Sequence, residues 1–196
     1  MRLLLTVSTG ALLLAHAISS TAQDAQESAP KLVPPTDFET FATTPQVHVI
    51  FSKQVGSIES SDAKATVTAL VLADEQNPPA GMRGVRLDLE SNSGHEQVYL
   101  DDSQLEKVRR EVHLMESGIE TFAMKDTTTP YRVTGTESCW MPNPRVRILC
   151  PDYYIGPDWS GLRLRPLGSR GFEFPDHKPA ELTKLFDAAL TELRQR

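Results

Sequence analysis

The chain has 196 residues, 39% of them hydrophobic and 23% charged, with 11 Gly, 14 Pro and two Cys. Those proportions exclude a collagen-like polymer, a disulfide-dense miniprotein and a wholly disordered chain, and the length suits one domain of ordinary size. A formal net charge of −6 argues against general nucleic-acid binding, which needs a basic surface to displace counterions.

The N-terminus reads as an export leader. Met1-Arg2 carries one positive charge, and Leu3 to Val7 and Ala11 to Ala15 form a short, interrupted apolar stretch. Small residues stand at positions −3 and −1 of two candidate cleavage sites, Ala15-His16-Ala17 and Ser20-Thr21-Ala22. The second is preferred, which makes 1–22 a signal peptide and starts the mature chain at Gln23. No apolar run approaches the roughly 18 residues needed to cross a bilayer, so the mature chain has no expected membrane span.

Residues 23–44 are rich in Ala, Pro, Thr, Glu and Gln and lack an apolar period, so they read as a disordered or tether segment. Phe38 and Phe41 within it are suited to dock on the domain. That domain is expected over 45–196. Val47 to Phe51 is a β-branched apolar run, and 65–72 alternates well enough for a second strand. Asn77-Pro78-Pro79-Ala80-Gly81 breaks the chain. Val85, Leu87 and Leu89 alternate with Arg86, Asp88 and Glu90, and after the turn Asn92-Ser93-Gly94 the chain returns over 96–100 as a hairpin partner.

A helix follows. Leu105, Val108, Val112 and Met115 share one helical face, Ser103 and Glu106 fit a capping box, and Gly118 fits a stop. Short strands are expected at 121–125, 131–137, 145–149, 162–167 and 171–174. A closing helix over 179–193 carries the stripe Leu182, Leu185, Phe186, Ala189, Leu190 and Leu193, with Pro179 in its first turn.

The expected fold is therefore α+β: a mainly antiparallel sheet with two helices packed on one face and the other face partly wet. Sliding the chain by 77 residues places Gly84, Arg86, Leu87, Gly94, Glu96, Leu105 and Lys107 on Gly161, Arg163, Leu164, Gly171, Glu173, Leu182 and Lys184. This coincidence admits two similar hairpin–helix halves, each covering the other's apolar face; chance convergence of two such units explains it equally well.

Motifs for chemistry are scarce. His95-Glu96-Gln97-Val98-Tyr99 begins like a zinc-protease helix but has Tyr99 in place of the second imidazole. Ser61-Asp62-Ala63-Lys64 has the spacing that activates a serine, without the companion segments of such enzymes. Nucleophile-elbow, P-loop and dinucleotide fingerprints are missing, and His48, His95, His113 and His177 stand singly. The residues nominate no catalytic group, metal site or cofactor.

The richest segment runs from Cys139 to Gly161 and holds both tryptophans, two of the four tyrosines and four prolines. Cys139 and Cys150 suit one structural disulfide in an oxidising compartment. Trp140, Arg145, Arg147, Tyr153, Tyr154 and Trp159 are the candidate partner-binding residues, because prolines and a crosslink present aromatic rings at low entropic cost. Core packing around the disulfide is the more common use of such rings and the favoured reading of them. The expected function is a secreted or periplasmic, non-enzymatic module that binds an unknown protein or envelope component. The alternative is a small secreted hydrolase with a dispersed site around His95 or His177.

Overall fold

In the computed structural model the described residues are 37–77, 81–122, 131–134, 149–166 and 171–196. Residues 1–22, expected to form the leader, and most of the 23–44 segment lie outside them.

Period-two alternation after Pro45 builds an antiparallel meander of four long strands. These are β1 (Val47–Glu59), β2 (Ala63–Asp74), β3 (Gly81–Ser91) and β4 (Gly94–Asp101), neighbours in that order. The register sets Val67 opposite Leu87 and Leu87 opposite Val98, so one face is continuously aliphatic. Two irregularities interrupt β1, after Val49 and after Gln54. They bend an edge strand whose Val49 and Ile50 are exposed, which is one way proteins blunt an open sheet edge.

The chain then enters α2 (Asp102–Phe122) and a second antiparallel meander. Its strands are β5 (Tyr131–Thr134), β6 (Leu149–Ile155), β7 (Ser160–Pro166) and β8 (Phe172–Pro175), again in sequential order. Helix α3 (Pro179–Arg194) closes the chain. The fold is α+β, and α2 and α3 lie together on the aliphatic face of the first sheet. α2 also packs on β5 and β6, so it bridges the two sheets. A single core results, joining Val67, Leu87 and Val98 of the first sheet, Leu162, Leu164 and Phe174 of the second, Leu105 and Val112 of α2, and Leu182 and Phe186 of α3.

Several expectations change. Helix α2 runs through Gly118, so that glycine does not stop it, and positions 121 and 122 end a helix instead of opening a strand. Glycine is needed there for space: a Cβ on Gly118 would stand 3.0 Å from a methyl of Val133. The capping box also sits two residues earlier than Ser103 and Glu106. Asp101 Oδ1 accepts the Gln104 amide at 2.8 Å while Gln104 Oε1 accepts the Asp101 amide at 3.0 Å. Asp caps as well as Ser, and the strand–helix junction fixes which residue stands at the first position.

Described structure precedes Pro45, at the aromatic residues expected to dock on the domain. A short helix, α1 (Asp37–Ala42), covers the outer face of the first sheet, where Phe38 is fully buried against Leu70 and Leu72. Its ring lies over Gly84, where a Cβ would meet Phe38 Cε1 at 2.6 Å. Burying one phenylalanine is worth about 1.5–3 kcal/mol, enough to hold a six-residue helix that has little stability of its own.

The 77-residue shift describes element order better than residue positions. Both units read meander then helix, and Gly84 and Gly161 each lie on the third strand. Gly84 pairs with Asp101, so the shift requires Gly161 opposite Lys178, yet Gly161 pairs with Pro175. A residue-for-residue repeat of two halves is therefore not established.

Candidate functional site

The β6–β7 hairpin organises the aromatic-rich segment. Alternation along β6 turns Cys150, Asp152 and Tyr154 to one face and Leu149 and Tyr153 to the shared core. The hairpin closes through Gly156, whose amide donates to the Trp159 carbonyl at 3.0 Å. Across it the rings of Tyr154 and Trp159 stack, with centroids 4.5 Å apart and planes 26° from parallel. The geometry depends on Gly156, because a Cβ there would lie 2.5 Å from the Tyr154 ring. Gly161 stands opposite Tyr154 on β7, where a Cβ would meet the Phe174 carbonyl oxygen at 2.3 Å. Both rings remain half-buried, so the stack is built before any partner arrives and keeps area to offer one.

A charged row continues this face. Asp152 is 1% exposed and stands opposite Arg163, whose Nε is 3.9 Å away; Arg163 reaches on to Glu173 of β8 at 3.1 Å. Sequence reasoning missed this row. The signal was present as Cys-x-Asp-x-Tyr, an i, i+2, i+4 pattern that puts three residues on one side of a strand. Pro151 concealed it by making the stretch read as loop. Among the described residues β5 pairs with Asp152 to Ile155, and none of these pairs involves Pro151.

The six nominated residues thus divide. Tyr154 and Trp159 come together. Tyr153 turns inward, 7% exposed, into a groove of about 260 Å³ shared with Glu116, Ile119, Lys178 and Pro179. Trp140, Arg145 and Arg147 lie outside the described residues, as does Cys139. Cys150 is buried on β6 and is not a free thiol.

The histidines are dispersed. His95, half exposed on β4, has its Nε2 3.8 Å from Asp88, whose carboxylate already accepts Arg86 at 2.9 Å and Gln97 at 2.7 Å. The segment around His95 is a strand, so Tyr99 lies about 13 Å along it and not one helical turn away. His113 pairs with Glu116 at 3.2 Å on the surface of α2. The Ser61/Lys64 pair is also parted, because Ser61 donates to Asp62 at 2.9 Å while Lys64 pairs with Glu59 at 3.4 Å. His177 is held on both sides, Nδ1 2.9 Å from Glu181 Oε2 and Nε2 2.8 Å from the Glu59 carbonyl oxygen. Among the described residues no cluster of His, Cys, Asp and Glu could hold a metal ion.

Two carboxyls carry shifted affinities for protons. Burial pushes Glu181 up, but the Lys178 amide, the His177 hydrogen bond and the charges of His177 and Lys184 outweigh it and hold Glu181 below the ordinary range. Burial raises Asp102, helped by Asp101 and Glu106 and opposed by Arg83 and Arg194. Both sit in the first turn of a helix, α3 and α2 respectively, where they serve the helix end.

No protein-family model, curated protein or solved structure matches the chain. No described helix is long and apolar enough to cross a membrane.

Proposed function

We propose that the protein is an exported, non-enzymatic binding module whose contact face is the tip of the β6–β7 hairpin, centred on Tyr154 and Trp159. The stacked, half-buried pair is the observation that carries this reading. Its rings are positioned by a tight turn and by the space left at Gly156, so little side-chain freedom is lost when a partner covers them. Large aromatic side chains are also the residues most often found at the energetic centre of protein interfaces. In this reading the leader 1–22 is removed, Cys139 and Cys150 crosslink the segment leading into β6, and the partner is a protein or envelope component.

The rival reading, a secreted hydrolase at His95 or His177, requires an imidazole that accepts a proton from a nearby hydroxyl or thiol. The ring nitrogens of His177 face Glu181 and a backbone carbonyl, and His95 stands 3.8 Å from the Asp88 carboxylate, which favours the binding reading.

The test uses the mature chain immobilised and exposed to the envelope and culture fluid of its own source, with captured partners identified by mass spectrometry. A partner held by the wild type should be lost from Trp159→Ala and Tyr154→Ala while both variants keep the far-ultraviolet signature of the fold. Equal capture by the variants would remove this face from consideration.

A further inference from the structure

Helix α3 opens without the usual acceptor at its N-cap. Lys178 stands there, and its ammonium can only donate, so its side chain caps none of the first-turn N–H groups. Pro179 has no N–H, and Glu181 gives its amide to the Lys178 carbonyl at 3.0 Å. The Ala180 amide meets no acceptor among the described residues. This helix end borders a groove of about 260 Å³ whose apolar walls are Ile119 of α2, the Tyr153 ring of β6, Pro179 and Ala180.

Tyr153 is an independent sign of a ligand. It is 7% exposed and lines the same groove, yet its hydroxyl has no hydrogen-bond partner among the described residues. A phenol so far buried normally finds one. The exposed Lys178 ammonium at the rim is likewise unpaired. The neighbouring acceptors, by contrast, are engaged. Glu116 receives the Thr183 hydroxyl at 3.4 Å and faces His113 at 3.2 Å. Glu181 receives the Lys178 amide at 3.0 Å and faces His177 at 2.9 Å. Donors without partners thus stand over an apolar floor.

We infer that this groove binds a small organic carboxylate with an apolar body. The carboxylate accepts from the Ala180 amide and the Tyr153 hydroxyl beneath the Lys178 ammonium, at the positive end of the α3 dipole. The body lies on Ile119, Pro179 and the Tyr153 ring. Roughly nine non-hydrogen atoms fill the groove, if each takes about the 30 Å³ share of a water molecule. A cationic ligand would leave all three donors unmet, and a purely apolar one would seal the Tyr153 hydroxyl without a partner. Alternation along β6 sets Tyr153 and Tyr154 on opposite faces, so this site is separate from the hairpin tip.

Titration of the purified, ¹⁵N-labelled protein with phenylacetate, followed by amide NMR, tests the site. The Ala180 resonance should move saturably. Phenylacetamide, which lacks the charge, and acetate, which lacks the ring, should each bind at least about tenfold more weakly. Lys178→Met should raise the dissociation constant about tenfold, and Tyr153→Phe, which removes only the hydroxyl, about fivefold. Lys178 is exposed, so its replacement leaves the core intact and decides the matter if Tyr153→Phe disturbs the fold. Shifts that do not saturate or that fall away from the groove would overturn the inference. So would phenylacetamide binding as tightly as phenylacetate, or an unchanged affinity in Lys178→Met.

Discussion

The two sheets solve the same topological problem with different means. Strands of the first run 8 to 13 residues and bury one face under α2 and α3. Strands of the second run 4 to 7 residues, and β6 is buried along both faces from Leu149 to Tyr153. The long sheet buries one face under α2 and α3 and only a patch of the other, at Leu70 and Leu72 under α1. A short sheet with a buried central strand needs neighbours on both sides, and α2 supplies one of them by packing on β5 and β6. The candidate binding face lies on this second, dependent sheet.

The largest expected effects test whether the sheets share one core. Leu87→Ala in the first sheet and Phe174→Ala in the second each remove a fully buried side chain from the common cluster, at a cost of about 2–5 kcal/mol. Both variants should unfold in a single transition, with circular dichroism and tryptophan fluorescence changing together. Two separated transitions would show that the sheets are independent units.

Phe38→Ala sharpens the comparison from the outer face. Its pocket over Leu70, Leu72 and Gly84 belongs to the satellite cluster, so the loss should be about 2 kcal/mol. Exchange should rise in α1 while the second sheet keeps its protection. The smallest change is Asp101→Ala, which removes the cap of the bridging helix for about 1 kcal/mol. A drop in the midpoint without a change in slope is the expected denaturation result.

Legibility in the sequence follows the same division. Strands β3 and β4 could be read to within a few residues because Val85, Leu87 and Leu89 alternate against charged partners. The closing helix was plain from its stripe and from Pro179. Strand β1 extends to Glu59, well past the apolar run ending at Phe51, because pairing with β2 continues through polar residues that periodicity does not mark. β6 was hidden because a strand buried on both faces loses its alternation, and Pro151 reads as a breaker. For the site, composition picked out Tyr154 and Trp159, but only the hairpin register separates them from Tyr153 and adds Asp152 and Arg163.

The binding reading rests first on translocation into an oxidising space. Intact-mass measurement on protein purified from its native source tests this most directly. The account predicts a chain beginning at Gln23 and lighter than its reduced form by the hydrogens that one Cys139–Cys150 bond removes. Retention of Met1, or the mass of a chain with both thiols reduced, would contradict it.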